Sequence, residues 1–173
     1  MKITSLTLTA AAAAAAYVIS GASVLGHSLP DQHWGTRGAI VDAVGAAAFA
    51  FTALAVSGLR PRLTDTRSGV WAARVAQFGL AGMTVESVAS LIHGGNTLGA
   101  VFFGGLVLTI AGLAVLAVAG VRADRMRWVA PLPVLGLVLG IAGGDHGGFL
   151  VTGVVWLAIA MIVNARDVQL VAA

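Results

Sequence analysis

Four long apolar runs dominate this 173-residue chain, at approximately residues 3–26, 38–59, 70–92 and 98–121. Each run is long enough to cross a lipid bilayer, which takes about 20 residues in a helix. Only 10% of the residues are charged and the mean hydropathy is +0.95, whereas soluble domains carry about 25% charged residues. One soluble core cannot bury this much apolar surface, so the sequence predicts an integral membrane protein with the lipid bilayer as its main partner.

Two shorter apolar runs follow, at residues 128–144 and 147–163. At about 17 residues each would span about 26 Å, which is marginal for a crossing. Pro131 and Pro133 fall in the first turn of the fifth run, where proline is tolerated. We therefore predict an all-α bundle of six transmembrane helices that forms one domain over residues 1–173. Short, glycine- or proline-interrupted segments can also be broken or re-entrant, and this alternative applies to the last two runs.

The basic residues are distributed unequally between the loops. If the chain crosses six times, only Arg37 lies on the outer side, and both termini are cytoplasmic by the positive-inside rule. This topology accounts for the net charge of +3, so no nucleic-acid partner is predicted, and the expected location is a bacterial inner (cell) membrane. The other nine basic residues lie on the inner side: Lys2, Arg60, Arg62, Arg67, Arg74, Arg122, Arg125, Arg127 and Arg166.

The first run has an alternative interpretation as a secretory signal peptide, because it combines a basic residue, an apolar stretch and small residues. Its length favours a retained first helix. The chain contains no cysteine, which excludes disulfides, thiolate metal sites and covalent attachment of haem through cysteine.

Residues 53–60, ALAVSGLR, resemble residues 115–122, VLAVAGVR. Each of these segments ends a helix that follows a histidine at the outer end of the preceding helix, His27 or His93. The last two helices repeat the arrangement around His146. The sequence thus predicts three helical hairpins related as a parallel repeat, with an axis along the membrane normal.

Glu86 is the one acidic residue well inside a predicted span, and it lies about 10 Å deeper than His93 on the same helical face. A charged group at the bilayer centre costs about 2.5–3.5 kcal/mol. We therefore predict an outward-facing polar pocket formed by Glu86, Asp42 and Asp145, which binds or transports a small ligand or a proton. The alternative for Glu86 is a protonated acid hydrogen-bonded to a neighbouring helix.

The histidines have two interpretations. In the first they end helices, where an imidazolium suits the helix dipole and the adjacent glycine supplies a left-handed cap. In the second, His27, His93 and His146 converge as metal ligands, because three imidazoles with an open position resemble a catalytic zinc site and also suit other transition metals. A pair of them could ligate haem, and Asp145 or Glu86 could act as a general base. The second interpretation gives the alternative function, a membrane-embedded metal- or haem-dependent enzyme, although the sequence requires no cofactor.

The arrangement of His27, Pro30 and Trp34 after the first helix, together with arginine-rich inner loops, resembles that of small uncharacterised six-helix membrane proteins of high-GC bacteria. The resemblance covers most of the chain and rests on layout and composition. It implies the six-helix fold, and it carries over neither an activity nor site residues.

Small-residue spacing such as Gly136 to Gly140 favours close helix packing. It is compatible with self-association or with a subunit of a larger membrane complex. The leading functional prediction is therefore a small multi-pass membrane protein with a polar pocket, either acting alone or within such a complex.

Overall fold

The computed structural model describes residues 4–25, 35–94, 98–124, 126–143 and 146–172, and within these ranges all regular structure is helical. Five of the α-helices are long and apolar enough to cross a membrane, whereas α5 is not. The predicted all-α, membrane-type architecture is therefore confirmed for the described part of the chain. The helices are α1 Ser5–Val24, α2 Thr36–Leu63, α3 Arg67–His93, α4 Gly99–Arg122, α5 Leu132–Ala142 and α6 Phe149–Ala172.

Two helices continue well past the C-terminal ends of their apolar runs. α2 continues through Pro61 to Leu63, and α6 continues to Ala172, whereas the runs end at residues 59 and 163. A tertiary ion pair holds these extensions together, because the Arg62 guanidinium donates two hydrogen bonds, of 2.6 and 3.0 Å, to the Asp167 carboxylate. The length of an apolar run therefore predicts the lipid-facing part of a helix rather than its full extent.

The fifth helix is shorter than the run that predicted it. α5 has 11 residues, which correspond to about 16 Å of rise. A turn precedes it, in which the N–H groups of Val129 and Ala130 donate to the Met126 carbonyl at 2.8 and 3.1 Å. Pro131 is the N-cap residue of α5. The delayed start has a simple cause, since a proline disfavours helical backbone in the residue before it.

Glycines allow the most extensive helix contact, which joins α3 to α4. A Cβ atom placed on Gly79 would lie 2.3 Å from the Gly105 carbonyl oxygen, and one on Gly112 would lie 2.5 Å from the Ala76 nitrogen. Both distances are far shorter than a carbon atom tolerates, so the two backbones approach as closely as they do only because side chains are missing there.

Glycines also allow the close contact between α5 and α6. Cβ atoms on Gly136 and Gly140 would overlap Val155 and Thr152 of α6, and the Thr152 hydroxyl donates to the Gly136 carbonyl at 2.8 Å. The Gly136–Gly140 spacing thus serves packing within the chain, while self-association stays a prediction. Helices adjacent in sequence also pair as α1–α2 and α3–α4, but a repeat relating the three pairs stays a prediction too.

Tyr17 of α1 lies at the centre of the bundle and is 1% exposed. Its ring stacks on Phe149 of α6 with the centroids 5.7 Å apart, and it meets Phe49 of α2 edge-on at 6.1 Å. The Thr52 hydroxyl donates to the Tyr17 oxygen at 3.3 Å. α1 therefore joins α2 to α6.

The bundle has two distinct ends. One is marked by the Arg62–Asp167 pair and by the start of α1, where Leu6 packs within 3.0 Å of the Cβ position of Gly58 on α2. The last turn of α4 also lies here, because a Cβ on Gly120 would meet Leu63 at 3.3 Å. We call this the arginine end.

Two tryptophans at the arginine end are exposed, as membrane-interface residues are. The guanidinium of Arg74 lies 5.5 Å from the Trp71 ring centroid, and that of Arg127 lies 5.2 Å from Trp128. Each of these tryptophans thus lies beside an arginine of the arginine end. Trp34 lies outside the described residues.

The opposite end, which we call the histidine end, contains the last turn of α3 with His93 and the turn at His146 between α5 and α6. A Cβ on Gly147 in that turn would meet Leu25 at 2.7 Å. The end of α1 therefore lies beside the beginning of α6.

Candidate functional site

One face of α3 near the histidine end is buried although it is partly polar. Met83, Glu86, Ser87 and Ser90 are all buried, and they follow the spacing of residues on one helical face. Glu86 is 6% exposed, so a carboxyl group lies within the bundle rather than against lipid. This is the placement that the cost of an intramembrane charge requires.

A serine one turn further along α3 contacts this carboxyl group. The Ser90 hydroxyl donates to Glu86 Oε1 at 2.7 Å. Ser90 was not among the residues predicted from the sequence, although its position four residues after Glu86 places it on the same face and would have indicated the contact. The serine satisfies one oxygen of Glu86 without bringing a compensating charge.

Asp42 of α2 lies opposite this face. Asp42 is half-buried and interacts electrostatically with Glu86. The helices meet closely at this level, since the Cβ position of Gly45, one turn beyond Asp42, lies 4.0 Å from the Ser87 hydroxyl oxygen. Asp42 lies about 9 Å from the beginning of α2, and Glu86 lies about 10 Å from the end of α3. Both helix termini are at the histidine end, so the two residues have similar depths. The structure therefore places two of the three predicted pocket residues at similar depth on packed helices, whereas Asp145 lies outside the described residues, and the pocket itself stays a prediction.

His93 shows the helix-ending chemistry. Its Nδ1 lies 2.9 Å from the Ala89 carbonyl oxygen, and because a carbonyl only accepts, Nδ1 carries the proton. The next residue, Gly94, has φ +75°, and its N–H donates to the Ser90 carbonyl at 2.9 Å. The histidine and glycine together satisfy two carbonyl groups of the last turn.

Replacing Gly94 by alanine is expected to destabilise the protein by about 1–2 kcal/mol, because an L-residue with a Cβ is strained in the left-handed conformation. No atom lies near the Cβ position of Gly94, so the loss would come from backbone strain alone. Gly82→Ala is the matched control in the same helix, since its Cβ would make only ordinary contacts at 3.7 Å or more. Thermal unfolding in mild detergent measures both, and equal midpoints would contradict the cap assignment.

His146 occupies the exposed turn between α5 and α6. Its N–H donates to the Gly143 carbonyl at 2.9 Å, and Gly147 after it has φ +78°. The second histidine–glycine sequence thus also forms a chain reversal. Within the ranges that the structure describes, no three His, Asp or Glu side chains are grouped so as to hold a metal ion. His27 lies outside those ranges, so the site of His27, His93 and His146 stays a prediction.

Comparisons with protein-family models, with curated proteins and with solved structures found no match. The likeness to six-helix membrane proteins of high-GC bacteria therefore stays an expectation. The function has to be inferred from the chemistry of the site itself.

The Asp42–Glu86 pair consists of two carboxyl groups without a described basic partner. α4, which packs on α3, carries no ionisable side chain from Gly99 to Val121, and Tyr17 is the sole ionisable residue of α1 between Ser5 and Val24. Two carboxyl groups in such surroundings favour a shared proton or a bound cation over double ionisation. The pair therefore has the chemistry of a proton- or cation-binding site.

Proposed function

We propose that this chain is a six-crossing protein of the bacterial cell membrane with both termini cytoplasmic, and that its Asp42–Glu86 pair binds a proton taken up from the opposite side. The observation that carries the functional part is the burial of Glu86 beside Asp42. Insertion of such a group costs several kcal/mol, and no described contact of Glu86 other than that with Ser90 offsets this cost.

The contacts of the short fifth segment support six crossings. At its beginning, Ala130 lies 2.8 Å from the Cβ position of Gly120 at the arginine end. At its other extreme, Gly143 lies against Gly148 in the turn at the histidine end, where the Gly148 N–H donates to the Gly143 carbonyl at 2.8 Å. The preceding turn and α5 together thus connect the two ends, although α5 alone is too short to do so.

The arginine end is the cytoplasmic one in this proposal, by the positive-inside rule. The histidine end then faces outward, and the carboxyl pair lies about 10 Å from it. A proton would reach the pair from the outer side.

The other half of the bundle offers few groups to carry a proton onward. The main polar side chain there is Gln77 of α3, which donates to the Ala53 carbonyl at 3.1 Å and to the Ser57 hydroxyl. It lies nine residues before Glu86, or about 13 Å away along the axis. We therefore propose reversible proton binding from one side rather than a continuous proton channel. A metal- or haem-dependent enzyme remains the alternative, but no group of three ligating side chains among the described residues supports it.

Difference infrared spectroscopy of the purified protein in lipid nanodiscs tests the shared proton. The wild type is expected to show the carbonyl band of a protonated carboxylic acid, and this band should be weakened or lost in Glu86→Gln and in Asp42→Asn. Each substitution removes one of the two carboxyl groups that would hold the proton. Glutamine retains an oxygen that can accept from Ser90, so Glu86→Gln should fold normally.

Asp124→Asn is the matched control, because Asp124 is an exposed loop carboxylate that pairs with Arg127 at 3.8 Å. It should leave the acid band unchanged. If Glu86→Gln also leaves that band unchanged, the pair shares no proton and Glu86 is a structural residue.

A further inference from the structure

A groove at the arginine end lies between the first turn of α3 and the last two turns of α4 and encloses about 380 Å³. Its position is remote from the Asp42–Glu86 pair, which lies near the histidine end. The residues that line it change from polar to apolar along the α4 axis. The polar ones are Thr66, Ser68 and Arg122, and the apolar ones are Val115, Val118 and Ala119.

The polar part of the groove carries a positive charge, that of Arg122. The ion pairs Arg62–Asp167 and Arg127–Asp124 do not include it. Its guanidinium also lies in the last turn of α4 and is exposed. An anion in the groove would therefore lie beside the Arg122 guanidinium, whose N–H groups could donate hydrogen bonds to it.

Hydroxyl groups across the groove supply a further donor. The Thr66 hydroxyl lies 2.9 Å from that of Thr64 and 3.1 Å from that of Ser68, and it accepts from the Gly69 N–H at 3.2 Å. Three hydroxyls joined by two hydrogen bonds leave one O–H unused. If the Thr64 hydroxyl donates to Thr66 and the Thr66 hydroxyl donates to Ser68, the unused O–H is that of Ser68, which lines the groove.

The apolar part continues from Arg122 towards the middle of the bundle. Val115 precedes Arg122 by seven residues and therefore lies about 10 Å deeper on the same face of α4. Val115 and Val118 are each 50% exposed, so the wall opens sideways to where lipid chains would lie. The groove thus presents a cation at membrane-surface depth and an apolar wall at acyl-chain depth.

We propose that this groove binds one anionic phospholipid, with its phosphate at Arg122 and Ser68 and an acyl chain along Val115 and Val118. Charge complementarity selects the anionic headgroup, and the change from polar to apolar lining selects a lipid over a free anion. The inference rests on the membrane setting proposed above but not on the carboxyl pair.

Native mass spectrometry of the full chain in mild detergent tests the proposal, with dioleoyl phosphatidylglycerol and dioleoyl phosphatidylcholine as probes. The wild type should retain one phosphatidylglycerol in preference to phosphatidylcholine, and Arg122→Gln should weaken that binding about fivefold, the effect expected of one arginine near an anionic headgroup. Arg166→Gln, which removes an exposed arginine of α6 at the same end, is the matched control and should bind as the wild type does.

A second variant, Ala119→Phe, fills the groove without changing its charge. It should lose phosphatidylglycerol as Arg122→Gln does, with thermal unfolding confirming that it folds. Equal losses in Arg122→Gln and Arg166→Gln, equal retention of the two lipids, or displacement of the lipid by inorganic phosphate would each overturn the proposal. None of these results bears on the infrared test of Asp42 and Glu86.

Discussion

Replacing Gly79 by alanine should destabilise the bundle by about 1–3 kcal/mol, the usual effect of overpacking a close contact. The new Cβ would lie 2.3 Å from the Gly105 carbonyl oxygen and 2.5 Å from the Thr109 hydroxyl oxygen. Neither atom can move away easily. The carbonyl oxygen belongs to the backbone, and the Thr109 hydroxyl is held by its hydrogen bond of 2.8 Å to that same carbonyl. α3 and α4 would therefore have to separate. Thermal unfolding in mild detergent, or titration with a denaturing detergent, measures the loss.

Gly104→Ala is the matched control for this substitution. Gly104 lies next to Gly105 in α4, but no atom lies within 4 Å of its Cβ position. Alanine there should leave stability unchanged or raise it by up to about 1 kcal/mol, the difference in helix propensity between the two residues. If Gly79→Ala and Gly104→Ala had the same effect, close approach of α3 and α4 would not be the reason for the glycine.

Tyr17→Ala is expected to cost about 3–5 kcal/mol, as truncation of a buried aromatic side chain does. The ring contacts Phe49 and Phe149, so its removal leaves a cavity where α1, α2 and α6 meet. The same unfolding measurements apply.

Tyr17→Phe separates the ring from its hydroxyl group. Phenylalanine keeps the aromatic contacts but removes the oxygen to which Thr52 donates. Hydrogen bonds between helices in membranes contribute about 0.6 kcal/mol on average, so this variant should lose much less than Tyr17→Ala. Similar losses in the two variants would assign the role of Tyr17 to its hydrogen bond rather than to packing.

The helices could be predicted from the sequence because apolar runs of membrane length leave the backbone no other way to satisfy its hydrogen bonds in lipid. Their ends could not be predicted in the same way. The extension of α2 and α6 depends on Arg62 and Asp167, which lie 105 residues apart, and the sequence contains no signal that joins them. The late start of α5 could have been predicted from the sequence, because Pro131 disfavours helical backbone in the residue before it.

The carboxyl site was partly predictable as well. The position of Glu86 deep in an apolar run indicated a buried group, and the depths of Asp42 and Glu86 along their helices were countable. Their adjacency also requires that α2 and α3 turn these faces towards each other. That orientation is set by packing at residues such as Gly45 and Ser87, where Ala/Gly/Val-rich sequence specifies the facing side weakly. Periodicity alone could not identify it.

The brevity of α5 has a consequence for the surrounding lipids. A helix of 11 residues covers about half of a 30 Å hydrocarbon layer and the turn before it covers part of the rest, whereas the 24 residues of α4 cover all of it. Lipids beside α5 would have to compress or tilt their tails, and such hydrophobic mismatch costs a fraction of a kcal/mol per ångström. If the chain crosses six times as proposed, the protein would then deform its membrane asymmetrically, thinning it on the α5 flank.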